Sequence, residues 1–540
     1  MKTAVYEEIL IESGRRSIVL VLSIAIFLCA AVLRVGMLDI APEFDELYHL
    51  LAARSWIADG SLSILDGEYT RGRYFTQSIA AVMGVFGDDL TTGRLPNVVV
   101  GSMIPVVVFL WANRVAGLAV AVIVAAFAVV WPQGIVEAQT LRFYAPQVLT
   151  YTVGAMAIYL AISPAPVNRL LWGLVALVVW AAALHLQITS IVGIGAAVGA
   201  AVMIVLFDRI TSLRGRVATV IIVAAVMLAV LAIAYLTGIL AKAIEFYRWT
   251  PAHADRLRDY HSFYHHQMER VYGLLWWTSP IWALIALWAK PRVAFFALTV
   301  FFTCFLAHSF AGMKSLRYMS YALPMMWVIW AIAAVWIWTQ IAGRIGPKVA
   351  SGVAAAAVIG VVFVTGFVGE AARFAQGTDY RPREDWSAVR ETIADWNDAP
   401  FVATSRELHM AAFVSDFDLI ISRSRLSELT PADEFTADFR TGRVTIGSEE
   451  AVAAVLACHR DGLMLAPEEW LIKSEEGEAF QALLIAAGLE TETRTTADVF
   501  AIRWTDPNDV APDWSGDRTT RMPLSPPAPQ NNPARRHSDL

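Results

Sequence analysis

The sequence predicts a polytopic α-helical membrane protein of about eleven transmembrane helices, followed by a C-terminal α/β domain. Two observations carry this prediction. Hydrophobic residues make up 57% of the 540 positions and the mean hydropathy is +0.53, above the roughly 45–50% apolar content of soluble domains. From about Arg381 the composition changes to that of a soluble domain. The chain should therefore divide into a membrane part and a polar part.

A membrane-crossing helix needs about 20 mainly apolar residues, and this criterion selects the expected spans. The first apolar run follows Arg15 and Arg16 but lacks a small-residue cleavage site, so we expect a retained signal-anchor helix. The expected spans are 17–38, 94–112, 115–133, 145–162, 168–186, 190–207, 217–240, 272–289, 293–310, 320–342 and 349–369.

The distribution of Lys and Arg predicts the orientation of these spans, because positive charges collect in short cytoplasmic loops. The basic residues of the connections fall on one side of the count, which places the N-terminus in the cytoplasm. The opposite side receives the longer polar loops and the C-terminal region. These segments are 39–93, 134–144, 241–271, 311–319 and the chain from Glu370 onward.

Helices and strands are expected to alternate beyond Arg381, which is typical of an α/β domain. The expected helices are 386–396, 407–414, 449–458 and 478–487, and the expected strands are 401–404, 419–422, 463–466 and 499–504. The proline-rich tail 506–540 has few apolar residues, so we expect disorder there. Neither a dinucleotide-binding nor a Walker motif occurs.

Composition also excludes some functions. The net charge is −6 and there is no Lys/Arg-rich run, which argues against nucleic-acid binding.

The three cysteines Cys29, Cys304 and Cys458 lack metal-ligand spacing, and we expect them to be buried. His261 and His265 are four residues apart in a polar, aromatic loop, but a solvated or sugar-binding surface fits them better than a metal site. We predict no metal and no cofactor.

Two adjacent acids, Asp45 and Glu46, lie in the stretch 41–49, which follows the first expected span. They come after Pro42 and before an apolar helical pattern, so they begin a helix near the membrane surface. One interpretation is acid–base chemistry at that surface. The other is structural, with Asp45 as helix N-cap and Glu46 as a first-turn charge.

Cations and aromatic residues occur together in two further loops. Glu137 precedes the run Arg142-Phe143-Tyr144, and Lys314 precedes Arg317-Tyr318. Arg and Lys at such positions can bind a phosphate, Arg in bidentate geometry. They can also simply anchor helix ends at the membrane interface. Arg34, near the end of the first span, is expected to snorkel to the interface or to pair with the nearby acids.

With these residues assembled, residues 17–369 resemble the GT-C class of polyprenyl-phosphate-sugar-dependent glycosyltransferases. The likeness is to protein O-mannosyltransferases, the lipid A aminoarabinose transferase and rhizobial galacturonic acid transferases. It rests on the arginine in the first span, Phe44-Asp45-Glu46, Arg142-Phe143-Tyr144, and Arg317-Tyr318 before a span containing Pro324.

The resemblance implies residue roles. Asp45 would be the catalytic base, and Glu46 would position Asp45 or the acceptor. Arg142, Lys314 and Arg317 would stabilise the departing phosphate, Tyr144 and Tyr318 would line the donor groove, and Glu137 is the nearest match to a second acid of some relatives.

The resemblance also implies a domain organisation and partners. Residues 1–369 would form the GT-C transmembrane catalytic domain with the outer loop 39–93, 370–505 an extracytoplasmic α/β domain, and 506–540 the tail. The donor would be a sugar on a polyprenyl phosphate, and the acceptor a glycolipid, polysaccharide or protein at the outer face of a bacterial inner membrane. Two alternatives remain open: a transporter or flippase of a lipid-linked sugar, and a structural envelope protein.

Overall fold

The computed structural model describes residues 2–163, 168–210, 212–250, 252–346, 352, 366–376, 384–396, 398–429, 431–496 and 499–508. Its contacts divide the chain into two compact units. The helical unit comprises Met1–Leu38 and Arg94–Tyr380, and the mixed unit comprises Asp39–Gly93 and Arg381–Leu540. The segment 39–93 is thus grouped with the C-terminal residues, whereas the sequence-based boundaries assign it to residues 1–369.

The helical unit is built from long apolar helices joined by short ones. Many of their large apolar side chains are exposed, including Leu177, Leu284 and Trp288, as expected for helices that face lipid. Its long helices are Lys2–Val35, Leu90–Val115 (which begins in the mixed unit), Leu118–Val129, Tyr144–Ala161, Arg169–Leu186, Ser190–Arg209, Leu213–Leu236, Ser279–Ala289, Pro291–Phe310 and Leu323–Ile345. Its shorter helices are Pro132–Ala138, Ile239–Arg248, Ala252–Leu257, Phe263–Tyr272, Leu274–Trp277, Leu316–Met319, Ser320–Ala322 and Phe367–Ala375.

Within the described residues, six helices are long and apolar enough to cross a membrane, or seven if one bent pair counts as a span. The pair is Leu118–Val129 and Pro132–Ala138, bent by 58°. Ten of the eleven expected spans coincide with helices. Most of the eleventh, 349–369, falls outside the described residues. The count of eleven therefore stays a prediction. The helix Leu323–Ile345 is central, since its residues from Leu323 to Ala333 are buried.

Arg34 is completely buried, so the expectation that it snorkels is wrong. Its guanidinium donates hydrogen bonds to the carbonyl oxygens of Ala128 and Val129, each at 3.1 Å. These carbonyls lie at the end of the helix Leu118–Val129, and Pro132, four residues after Ala128, has no amide hydrogen to donate to the Ala128 carbonyl oxygen. Arg34 thus caps the break in the bent helix pair. Cys304 is buried as expected, whereas Cys29 and Cys458 are exposed.

The strands of the mixed unit are β1 Ser63–Ile64, β2 Gly67–Glu68, β3 Val402–Thr404, β4 Leu419–Ile421, β5 Thr436–Ala437, β6 Val444–Ile446, β7 Gly462–Pro467, β8 Glu490–Thr496 and β9 Val499–Thr505. The first two form a separate antiparallel hairpin. The other seven form one sheet in the order β5-β6-β4-β3-β7-β9-β8. Within it, β6-β4-β3-β7 run parallel, and β5, β9 and β8 add antiparallel pairs at the two sides.

Side chains alternate between the two faces of the sheet, as the two-residue period of a strand requires. Ala403 and Met464 pack in one apolar cluster, whereas Val402 and Leu463 pack in another. The helices of this unit are Phe44–Asp59, Arg73–Phe86, Val389–Thr392, Ala394–Trp396, Glu407–His409, the π-helix Met410–Val414, Arg423–Leu426, Glu449–Cys458, Glu468–Lys473 and Glu475–Ala486.

The four expected strands coincide with β3, β4, β7 and β9, while β5, β6 and β8 were not expected. β8 has the sequence ETETRTT and is largely exposed, so it lacks the apolar alternation that identifies a half-buried strand. The expected helices 386–396 and 407–414 are broken into shorter pieces. Of the expected disordered tail, residues 509–540 lie outside the described residues.

Candidate functional site

The acid motif begins the helix Phe44–Asp59 in the mixed unit. Glu43 is the N-cap, and its backbone amide donates to Glu46 Oε1 at 2.8 Å. The amide of Glu46 in turn donates to the carbonyl oxygen of Glu43 at 2.9 Å. The alternative that Asp45 caps this helix is therefore wrong, because Glu43 and Glu46 perform that function.

The two adjacent acids differ sharply in exposure. Glu46 is completely buried, and its carboxylate is committed to the start of the helix. Asp45 lies in the first turn of this helix and is half-buried. Asp45 is thus the acid of this pair with a surface that a substrate could reach.

In the helical unit, two arginines lie over one tyrosine ring. The guanidinium carbons of Arg142 and Arg317 lie 5.3 and 5.2 Å from the centre of the Tyr144 ring. Arg317 also lies 5.6 Å from the ring of Tyr318, which lies 6.3 Å from that of Tyr144. A tyrosine face attracts a guanidinium, so the ring holds two cationic groups at fixed positions. The sequence-predicted residues Arg142, Tyr144, Arg317 and Tyr318 are brought together, and we name them the arginine–tyrosine cluster.

Glu137 lies beside this cluster. Its buried carboxylate accepts a hydrogen bond from Ser320 Oγ at 2.6 Å and interacts electrostatically with Arg317 and Arg34. A buried carboxylate requires such partners, because an isolated charge is costly away from water. Glu137 thus lies within electrostatic reach of both Arg317 and Arg34.

The loop that carries Arg142 is held by hydrogen bonds from polar side chains. Asn97 Nδ2 donates to the carbonyl oxygens of Thr140 and Arg142 at 2.6 and 2.7 Å. Gln139 Nε2 donates to the carbonyl oxygen of Gly36 at 2.8 Å. Asn97, Gln139 and Ser320 are not among the sequence-predicted site residues. An amide side chain within an apolar stretch is a sequence signal that could have identified Asn97.

Lys314 does not join the cluster. It is buried, and its ammonium group donates to the carbonyl oxygens of Leu257, Arg258 and Ala311 at 2.6, 3.0 and 2.6 Å. All three ammonium donors are thus used, and burial lowers the pKa of the group. The expectation that Lys314 binds the donor phosphate is not supported. Its side chain instead connects the segment of Leu257 and Arg258 to that of Ala311.

The two histidines of the polar loop have separate partners. His261 Nδ1 lies 3.2 Å from the carbonyl oxygen of Ser309, and His265 Nδ1 accepts a hydrogen bond from Trp276 Nε1 at 2.9 Å. Among the described residues, no three His, Cys, Asp or Glu side chains are grouped so as to hold a metal ion.

No protein-family model and no curated protein sequence matches this chain. Solved structures do match. The structure of ArnT from Cupriavidus metallidurans bound to undecaprenyl phosphate aligns with a TM-score of 0.58 at 14% identity, covering 92% of this chain and 99% of ArnT. ArnT in the apo state aligns with a TM-score of 0.57 at 13% identity, covering 91% of this chain and 98% of ArnT.

A third match is the archaeal oligosaccharyltransferase AglB from Archaeoglobus fulgidus in complex with an inhibitory peptide and a dolichol-phosphate. It aligns with a TM-score of 0.53 at 10% identity, covering 91% of this chain and 75% of AglB. ArnT and AglB are both GT-C glycosyltransferases. The chain thus has the GT-C fold of a polytopic helical membrane protein.

Proposed function

We propose that the protein is an inverting glycosyltransferase that moves a single sugar from a polyprenyl-phosphate donor to an envelope acceptor. The arginine–tyrosine cluster carries this proposal, because it offers two guanidinium groups held on one ring. Two solved structures of the same fold contain a polyprenyl or dolichol phosphate, which is the ligand that such a cluster suits.

The donor phosphate would contact Arg142 and Arg317. Each guanidinium can form paired hydrogen bonds to phosphate oxygens. Arg142 lies two residues before the helix Tyr144–Ala161, and Arg317 lies in the short helix Leu316–Met319. Tyr144 and Tyr318 would line the donor groove, and Glu137 would keep Arg317 oriented. Lys314 is not included among the phosphate-binding residues, because its three N–H groups already donate to carbonyl oxygens.

Asp45 would act as the general base. The acceptor hydroxyl oxygen attacks the anomeric carbon and forms the new glycosidic bond while the bond from that carbon to the phosphate oxygen breaks. The acceptor proton passes to Asp45, and the electron pair leaves with the polyprenyl phosphate, whose charge the two arginines stabilise. The configuration at carbon inverts because attack and departure occur on opposite sides.

The proposed setting is the outer face of a bacterial inner membrane, with the N-terminus in the cytoplasm and residues 370–505 outside it. The transferred group would be a hexosyl or pentosyl sugar. A glycolipid, a polysaccharide and a protein all provide the acceptor hydroxyl that the mechanism needs.

The decisive experiment compares the masses of envelope glycolipids, polysaccharides and glycoproteins from the native host. The host carries wild-type protein, no protein, Asp45→Asn, or the control Asp39→Asn at matched membrane levels; Asp39 is an exposed acid of the same segment, outside the helix. We expect deletion and Asp45→Asn to remove the same single-sugar increment and Asp39→Asn to retain it. An increment that survives Asp45→Asn but not deletion would contradict the catalytic assignment and favour a transporter or flippase of the lipid-linked sugar.

A further inference from the structure

The segment 39–93 is bound to the C-terminal part of the mixed unit through the tip of its β1–β2 hairpin. The amide of Asp66 donates to the carbonyl oxygen of Thr441 at 3.0 Å, and its carboxylate pairs with Arg443 at 2.5 Å. At Gly67 a Cβ atom would lie 2.1 Å from the carbonyl oxygen of Arg440, so only glycine fits this approach. The hairpin is therefore packed backbone against backbone on residues 440–443.

Leu65, at the same tip, has a φ of 53°, which is strained for a bulky side chain. Its side chain packs against the apolar cluster that contains Ile420 and Leu463. Strain of this kind persists only where the surrounding contacts over-determine the backbone. The hairpin tip thus has one defined position on the sheet.

A second contact holds the helix Phe44–Asp59 itself. Tyr48 is buried, stacks on Tyr69 with ring centres 4.9 Å apart, and has the guanidinium of Arg440 4.9 Å from its ring centre. Arg440 Nη1 also donates a hydrogen bond to the Tyr48 hydroxyl oxygen. Burial raises the pKa of this hydroxyl, which keeps it neutral. Tyr48 lies three residues after Asp45, so it is a neighbour of Asp45 on the helix surface.

Arg440 is itself fixed by a buried acid. Asp438 Oδ1 accepts hydrogen bonds from the amides of Arg440 and Thr441, each at 2.8 Å. Asp438 is completely buried and forms an ion pair with the buried Arg425. Removing either partner would leave an uncompensated buried charge, so the turn 438–442 is held rigidly.

We propose that Arg440 is a positioning residue that fixes Asp45 through Tyr48, so that the C-terminal part of the mixed unit determines the placement of the catalytic base. The catalytic role of Asp45 rests on the proposed function, whereas the contact between Arg440 and Tyr48 does not. A carboxylate displaced by about 1 Å can cost on the order of 100-fold in rate, which gives such a clamp a catalytic consequence. It also gives the C-terminal part of the mixed unit a role in positioning the base.

The test uses the full-length protein and four variants. Arg440→Gln removes the charge, Arg440→Lys keeps a cation that can still donate to Tyr48, and Tyr48→Phe keeps the ring but removes the acceptor. The matched control is Arg494→Gln, because Arg494 lies 4.0 Å from the ring centre of Trp396 and pairs with Asp395, all outside segment 39–93.

The first measurement is backbone hydrogen exchange at residues 45–51. Relative to wild type we expect Arg440→Gln to accelerate exchange there at least about tenfold, Tyr48→Phe to do so less, and Arg440→Lys to restore most protection. Arg494→Gln should leave these amides unchanged. Wild-type exchange in Arg440→Gln would overturn the proposal.

The second measurement separates catalysis from donor binding. In the native host, Arg440→Gln should slow formation of the single-sugar increment about 10- to 100-fold, while the affinity of purified protein for undecaprenyl phosphate stays at the wild-type value. A full rate in Arg440→Gln, with the increment lost in Asp45→Asn, would overturn the positioning role. An increment retained in Asp45→Asn would instead reject the proposed function, and the exchange measurement would still decide whether Arg440 holds the helix.

Discussion

Arginine lies over tyrosine in both units of this protein, but the two arrangements differ in what else contacts the ring. In the mixed unit, Arg440 has the Tyr48 ring and hydroxyl as partners, and Tyr69 stacks on the same ring. In the helical unit, Arg142 and Arg317 share one ring, that of Tyr144. Placing two like charges on one ring is costly unless an anion compensates them.

We therefore predict a structural role for the arginine–tyrosine pair of the mixed unit and a ligand-binding role for the cluster of the helical unit. The Arg440–Tyr48 pair joins two parts of one folded unit, so its loss should disturb position and order. The arginine–tyrosine cluster concentrates positive charge, so its loss should chiefly disturb the binding of an anion. Substitutions in each unit test this difference.

The sharpest contrast is between the two adjacent acids. Asp45→Asn should reduce sugar transfer by about 10²- to 10⁴-fold, the usual contribution of a general base, with little change in thermal stability. Glu46→Gln should instead lower the melting temperature, because it weakens the acceptor that closes the start of the helix. Transfer rates and thermal unfolding in detergent measure both effects. Equal losses of transfer at matched stability would show that Glu46 is also catalytic.

Substitution in the arginine–tyrosine cluster should weaken binding of undecaprenyl phosphate. Arg142→Gln and Arg317→Gln each remove charged hydrogen bonds worth about 1.5–3 kcal/mol, so the dissociation constant should rise roughly 10- to 100-fold. Tryptophan fluorescence titration of purified protein measures this. Arg169→Gln, at an exposed arginine of another helix, is the control. Wild-type affinity in both cluster variants would exclude the cluster as the phosphate site.

Lys314 distinguishes a structural cation from a ligand-binding one. Lys314→Met should lower the free energy of unfolding by about 1–3 kcal/mol, because three carbonyl oxygens lose their donor. Undecaprenyl phosphate affinity should stay within about twofold of wild type once the protein is folded. Thermal unfolding and the same fluorescence titration test both statements. A tenfold loss of affinity without loss of stability would show that Lys314 binds the phosphate.

The last prediction concerns His409 in the mixed unit, whose ring lies 6.0 Å from that of Phe44. Burial, with a contribution from the charge of Arg406, lowers the pKa of His409 from 6.5 to about 3. The unfolded chain therefore binds a proton below pH 6.5 that the folded protein does not bind until about pH 3. His409 should thus reduce stability as the pH falls through this window, by at most about 1.4 kcal/mol for each pH unit.

Unfolding of the wild type and of His409→Phe at pH 7.5 and pH 5 measures this contribution. The variant should lose less stability on acidification, since phenylalanine fills the aromatic site without titrating. An identical loss in both proteins would show that other groups control the acid response.

Much of the fold could be predicted from the sequence, because apolar runs long enough to cross a membrane are local features. The parallel strands β3, β4 and β7 were also predictable, since buried strands are short apolar runs between helices. The polar strand β8 and the grouping of residues 39–93 with the C-terminal part were not. Both depend on contacts with residues distant in the sequence, which local sequence patterns do not reveal.

For the candidate site, the residue types are evident from the sequence: two acids at a helix start, and arginines followed by tyrosines before apolar helices. Their different surroundings are evident only in the folded protein. Glu46 is buried and caps a helix, Lys314 donates to three carbonyl oxygens, and Arg142 and Arg317 contact one ring. These surroundings matter because the role of a charged side chain depends on its exposure and on the groups that use its hydrogen-bonding capacity. Those groups come from elsewhere in the chain, and only folding brings them into contact.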